Sequence, residues 1–229
     1  RYWRIAQAHW SEFALGRARG DASGLSERFV TALLGEAFGF ASLASVEPVE
    51  LEGRAFPPGH AALDARVPVV IAPAGTGLDA VLPELGDGSR RRSAFGLAQE
   101  FLNAAEGALW GLASDGLTLR VLRDNASLTR PAWIEADLAR IFVEERYADF
   151  AAVWLIAHET RFGKAGTSPA ECALEAWRVA GRQEGTRARE HLRNGVEDAL
   201  RALGSGFLAH PENGALRSAL HDGSLTTQA

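Results

Sequence analysis

The sequence predicts an α+β fold, with an α/β domain over residues 1–137 and an all-helical connector over residues 138–229. Three observations predict it. Apolar residues at helical spacing open the chain. Short apolar runs of strand length, separated by Gly, Pro and an Asp-Gly pair, fill the middle. From Leu138 onward the spacing of threes and fours resumes with few breaks.

Trp3, Ala6, Trp10, Phe13 and Leu15 mark a first amphipathic helix that ends at Gly16 or Gly20. Leu25 to Phe40 reads as a second helix, with Ser26 as N-cap, a buried stripe of Phe29, Leu33, Leu34, Ala37 and Phe38, and Gly39 as the stop. β structure follows over Val46 to Leu51, breaks at Phe56-Pro57-Pro58-Gly59, and resumes over Ala61 to Ala65 and the buried-type run Val67 to Ile71. Phe95 to Ala105 is the next helix. Asp115-Gly116 then lies between the apolar runs Leu109 to Ala113 and Leu117 to Leu122. Asp-Gly supplies the positive φ of a two-residue hairpin turn, so these runs are paired strands. In the second strand Leu117, Leu119 and Val121 share one face and Arg120 points to the other, with Arg123 and Arg130 in an exposed arm beyond it.

Ile141 to Phe162 forms a long helix or two short ones, and His158 and Arg161 near its end complement the helix dipole. Ser168-Pro169-Ala170-Glu171 is a capping box with Pro at the first helical position. Leu174, Trp177 and Ala180, then Leu192, Val196, Leu200, Leu203 and Phe207, make a long amphipathic helix, kinked near Gly181 or Gly185 and ended by Gly204 and Gly206. Its arginines interleave with Glu175, Glu184, Glu190 and Glu197, the pattern of a salt-bridged solvated face. Ala215 to Leu220 is a short last helix.

Hydrophobic residues make up 47% of the chain, enough for a sizeable core, and no apolar run reaches the length of a membrane span. The lone Cys172 cannot pair internally, which fits a reducing cytoplasm. The net charge of −5 weighs against a nucleic-acid module, whose affinity comes largely from phosphate neutralisation. Lys164 is the only lysine and arginine carries the rest of the positive charge. There is no methionine and the chain opens on Arg-Tyr-Trp. Arg1 is therefore expected not to be the natural start, and the chain to be a piece of something longer.

Leu109-Trp110-Gly111-Leu112, Ser114-Asp115-Gly116, Leu119-Arg120-Val121-Leu122-Arg123-Asp124, Leu128-Thr129-Arg130 and Trp133-Ile134-Glu135 form an ordered set. It continues through Asp149-Phe150, Trp154, His158, Arg161-Phe162 and Gly206-Phe207-Leu208. This set resembles the N-terminal region of type IIG restriction-modification methylases and the related N6-adenine DNA methyltransferases of phage-defence systems such as BREX and DISARM. The resemblance implies a parent that binds S-adenosylmethionine and double-stranded DNA, together with defence-system subunits. In the family the chain continues into a methyltransferase domain.

The resemblance also implies a nuclease-like N-terminal fold, and the predicted order of helix, hairpin, strand, helix and hairpin is that of PD-(D/E)XK nucleases. Such an enzyme needs an Asp and, in the next strand, Glu-x-Lys, so that two carboxylates bind a divalent metal and Lys helps activate water. Val67 to Ala72 has neither acid nor Lys, so the fold is expected to be a degenerate one without cleavage activity. The alternative is an active Mg-dependent endonuclease with a rearranged site drawn from Asp64, Asp79 or Glu84. Gln99 and Glu100 on the following helix read as ordinary surface residues. Pro73-Ala74-Gly75-Thr76-Gly77 imitates a cofactor loop, but Pro83 interrupts the helix that should follow and no Asn-Pro-Pro-aromatic segment is present, so it reads as a plain turn. The candidate DNA-phosphate surface is Arg90, Arg91 and Arg92 with Arg120, Arg123 and Arg130 on neighbouring elements; the other reading of the triple-Arg cluster is a solvated loop. The expected function is a DNA-positioning or scaffold segment of the parent, with a protein–protein interaction module as a further alternative.

Overall fold

The structure is a computed structural model that describes residues 1–21, 24–51, 53–57 (only the backbone at 54), 59–86, 91–124 and 132–224. The chain divides into two compact units, Arg1–Ala176 and Trp177–Ala229. The first is α+β, with a mixed six-stranded sheet in the order β1-β4-β5-β6-β7-β8: β1 Ala44–Ser45, β4 His60–Ala62, β5 Val67–Ile71, β6 Trp110–Ser114, β7 Thr118–Arg123 and β8 Trp133–Asp137. β5 and β6 run parallel and every other neighbouring pair is antiparallel. A parallel pair needs a crossover, and helix α3 (Ala94–Ala104) supplies it. A separate ribbon pairs β2 (Val49–Leu51) with β3 (Arg54–Phe56).

Alternation along the strands sends apolar side chains to both faces. Val69, Leu112, Leu119 and Val121 belong to one buried cluster, with Phe13 of α1 (Tyr2–Arg19), Phe29 of α2 (Leu25–Ala32), Phe142 of α4 (Leu138–Val143) and Phe150 of α5 (Tyr147–Ala157). Val70, Ala113 and Leu122 belong to the other, with Leu97, Phe101 and Leu102 of α3. Helices therefore cover both faces. Aromatic rings dominate the first: Phe13 stacks on Phe29 with centroids 4.6 Å apart and Trp10 on Phe142 at 5.2 Å.

Several elements depart from the sequence reading. Residues 25–40 are not one helix, because α2 widens into a π-helical stretch at Leu33–Ala37 before Gly39 turns the chain at φ 84°. Ser26 is no N-cap. Gly24 holds that position and the Ser26 hydroxyl donates to the Ala72 carbonyl at 2.7 Å, tying α2 to the end of β5. β4 stops at Ala62, since Leu63, Asp64 and Ala65 all adopt positive φ. The segment 138–162 forms α4, α5 and a 3-10 turn at Glu159–Arg161. Because α4 and α5 complete the first cluster, the expected boundary at Asp137 falls inside the first unit. Ser168 caps a 3-10 turn at Pro169–Glu171, and α6 begins beyond it at Ala173.

α6 runs without interruption from Ala173 to Ala209, so Gly181 and Gly185 do not break it and Gly204 and Gly206 lie inside it. In the second unit a short turn at Pro211–Asn213 leads to α7 (Gly214–His221). Among the described residues no helix is long and apolar enough to cross a membrane.

Candidate functional site

The six arginines expected to form a phosphate surface have different surroundings. Arg120, on β7, is 8% exposed. Its two terminal nitrogens donate to both oxygens of Asp79, each at 2.7 Å, and its Nε donates to Glu135 at 2.5 Å. Glu135 is its direct cross-strand neighbour on β8. The guanidinium also lies between two rings, 5.1 Å from the Phe95 centroid and 5.0 Å from that of Trp133, a cation–π sandwich. Hydrogen bonding to Arg120, reinforced by its charge, holds the Asp79 carboxyl below the usual aspartate range against the opposing effect of burial. Arg120 itself is held more firmly protonated than usual, chiefly by its bonds to Asp79.

Arg92 is buried too. It donates to Glu100 and to the Ala55 carbonyl, each at 3.1 Å, and lies over the Phe56 ring. Glu100 thus serves as an ion-pair partner. Arg123 is not in an exposed arm: it ends β7 and bonds Glu175 at 2.6 and 3.2 Å, while Glu175 also accepts from the Trp110 indole at 3.0 Å. Arg91 is exposed. Arg90 and Arg130 lie outside the described residues.

Three of the six are therefore neutralised by carboxylates within the fold. The partners Asp79, Glu135 and Glu175 escape sequence reasoning for different reasons. Glu135 follows from strand register once Arg120 is placed, because the two are directly opposed. Asp79 and Glu175 come from 41 and 52 residues away and leave no local signal.

The carboxylates of the nuclease alternative are also dispersed. Asp79 is bound to Arg120, and Asp64 sits in the left-handed turn after β4. Glu84 lines an open cleft of about 390 Å³ at the ends of β4 and β5, together with Glu27, His60, Ser26 and Ser45. Glu27 and His60 approach to 3.4 Å. Among the described residues no three His, Cys, Asp or Glu side chains group as a metal ion would require. The residues present do not fit the two-carboxylate-plus-Lys arrangement.

The Gly-rich loop does not fit a nucleotide cradle either. The Gly77 N–H, which would face a ligand, donates to Asp115 at 3.1 Å, and Thr76 bonds back to the Pro73 carbonyl at 3.0 Å. Asp115 also accepts from Leu117 and Thr118, so one buried carboxylate closes the hairpin turn and fastens the loop to it.

His158 does not act as a cationic helix cap. Burial, then the nearby Arg161 charge, lowers its pKa, and its ring packs on Trp154 with centroids 4.6 Å apart. Compared with known proteins, the chain matches no family model, no curated protein and no solved structure.

Proposed function

We propose that this chain is a scaffold segment of a restriction-modification or phage-defence DNA adenine methyltransferase, built on a nuclease-like fold that has lost cleavage. The observation that carries the reading is the sheet. Three antiparallel strands β1-β4-β5, a crossover helix α3, a strand β6 parallel to β5 and the antiparallel β7, with helices on both faces, is the arrangement the nuclease resemblance calls for. In β5, Val67-Pro68-Val69-Val70-Ile71 stands where an active enzyme would carry Glu-x-Lys.

Scaffolding is favoured over phosphate contact because Arg92, Arg120 and Arg123 spend their charge internally. S-adenosylmethionine and DNA would be bound by the parent through residues outside this chain. Supercoiled plasmid with Mg²⁺ or Mn²⁺ tests the reading: it should remain intact, and nicking abolished by Glu84→Gln would replace it with the rearranged-site nuclease. Duplex-DNA affinity should be weak at low salt and change little in Arg91→Ala. A steep salt slope that this substitution flattens would restore the DNA-positioning role.

A further inference from the structure

We infer that the second unit is a self-association element: α6 pairs in parallel with α6 of a second copy of this chain, along a seam from Leu192 to Ala209. Leu192, Val196, Leu200, Leu203 and Phe207 are 71%, 59%, 64%, 71% and 61% exposed. At about 100° per residue they fall within about 80° of arc, so they form one apolar ridge on one side of the helix. Among the described residues of the unit nothing covers it. Exposed runs of this kind on a helix mark a docking face.

The occupant follows from what lies beside the ridge. Read as heptads, the row along one flank is Gly181, Ala188, Gly195, Ala202 and Ala209, small at every step, and the whole row is exposed. A Cβ added at Gly181 or Gly195 would meet nothing within 4 Å. The row along the other flank is Arg193, Leu200 and Phe207, large at every step. In a parallel pair each flank faces the partner's opposite flank, whereas in an antiparallel pair like faces like. A parallel pair therefore sets Leu200 and Phe207 of one copy over Gly195 and Ala202 of the other, and the two-fold repeats the fit. An antiparallel pair would oppose large to large and leave a gap between the small rows. The face is self-complementary only in the parallel sense.

Charge agrees with size. In the parallel pair Arg193 lies over the partner's Ala188, one turn from the partner's Glu184. Within one helix Arg193 pairs with Glu197 at 3.1 Å and Glu184 with Arg187 at 2.6 Å, exposed pairs that exchange at little cost. Arg182 and Arg189 would face the two-fold axis, and their like charges confine the seam to its C-terminal half. That half is about 25 Å long. Burying five large side chains per copy removes on the order of 1,000 Å² in total, the lower bound of a specific interface, so the dimer is a weak one with micromolar dissociation.

Sedimentation equilibrium of the full chain over about 1 to 200 μM is the test. The mass should rise from one chain towards two, and Leu203→Glu, a change at an exposed position, should hold it at one throughout with unchanged helical circular dichroism. In Leu203→Cys, oxidation should link position 203 to itself, while the unmutated chain, whose single Cys172 is buried, gives no link. A mass that stays at one chain overturns the inference, as does growth past two. Preferential linkage of Leu203→Cys to Val196→Cys in a mixture of the two variants would overturn the parallel sense.

Discussion

Arg120 shows what a single residue does in this fold. A cation 8% exposed between two rings is tolerable because it donates three hydrogen bonds to two carboxylates. Arg120→Ala would leave a hollow between Phe95 and Trp133. The side chains of Asp79 and Glu135 are 67% and 44% exposed and keep much of their hydration, so the loss is smaller than for a fully buried pair, about 2 kcal/mol in urea unfolding. Arg91→Ala, at an exposed position, should change stability by less than about 0.5 kcal/mol. Because the Asp79 pKa is depressed, its contribution is complete above the ordinary aspartate value and is lost as pH falls through the depressed one. Asp79→Asn should therefore flatten the acid limb of stability below about pH 4. His158 works at higher pH. Its depressed pKa means the unfolded chain takes up a proton first, so stability declines as pH falls from about 6.5 towards the depressed value. Its neighbours are Arg161, whose charge adds to the depression, and Glu159, whose carboxyl burial pushes up, an effect of opposite slope. His158→Phe keeps a ring on Trp154 and should remove the decline that sets in below about pH 6.5, measured by urea midpoints at stepped pH.

The hairpin was legible because its signal is local. The Asp-Gly pair marks the turn one residue early: Gly116 alone has positive φ, Asp115 bonds Thr118 across the turn, and Gly116 and Leu117 lie at its tip, while alternation in the second strand specifies which residues enter the core. Gly116 adds a tertiary demand. It holds φ 82°, and an added Cβ would stand 2.6 Å from Cζ of Phe13 on α1. Gly116→Ala should thus cost more than the roughly 1 kcal/mol of a left-handed residue alone, about 2 to 3 kcal/mol by urea denaturation, because Phe13 must leave its stack on Phe29. If the loss stays at 1 kcal/mol or below, the turn and α1 are not coupled through this contact. Other elements were less legible for physical reasons. Leu25 to Phe40 has continuous helical spacing, and nothing in that spacing reports a change from α to π hydrogen bonding at Leu33. Gly181, Gly185, Gly204 and Gly206 weaken helix propensity without ending it, since each can adopt helical φ. The arginines read as a surface because arginine usually is one. Their burial depends on carboxylates delivered by β8, by the segment after β5 and by the start of α6, and only the folded chain brings these together.

At the scale of the whole molecule, a sheet covered on both faces needs all of its helices before either cluster closes. The first cluster takes its last residues, Cys172 and Leu174, from the chain just before the boundary at Ala176. Glu175 lies beside them, 6% exposed, and holds Arg123 and the Trp110 indole at the opposite end of the β6–β7 hairpin from the turn. The first turn of α6 therefore supplies part of the first cluster and the carboxylate that closes the β6–β7 hairpin end. A chain ending at Gly181 keeps that turn with one further turn to hold it, and should unfold in urea in a single transition at the midpoint of the full chain. A chain ending at residue 171 loses Leu174, about 2 to 3 kcal/mol of buried side chain, and leaves Arg123, whose side chain is 13% exposed, without its carboxylate. Those losses sum to about 4 kcal/mol or more, a large fraction of the stability of a domain of this size. The shorter chain should lose its cooperative transition, followed by tryptophan fluorescence, while the longer one keeps it. Equal midpoints for the two truncations would mean that the sheet closes without α6 and that the Arg123–Glu175 pair is an accessory to the fold rather than its last fastening.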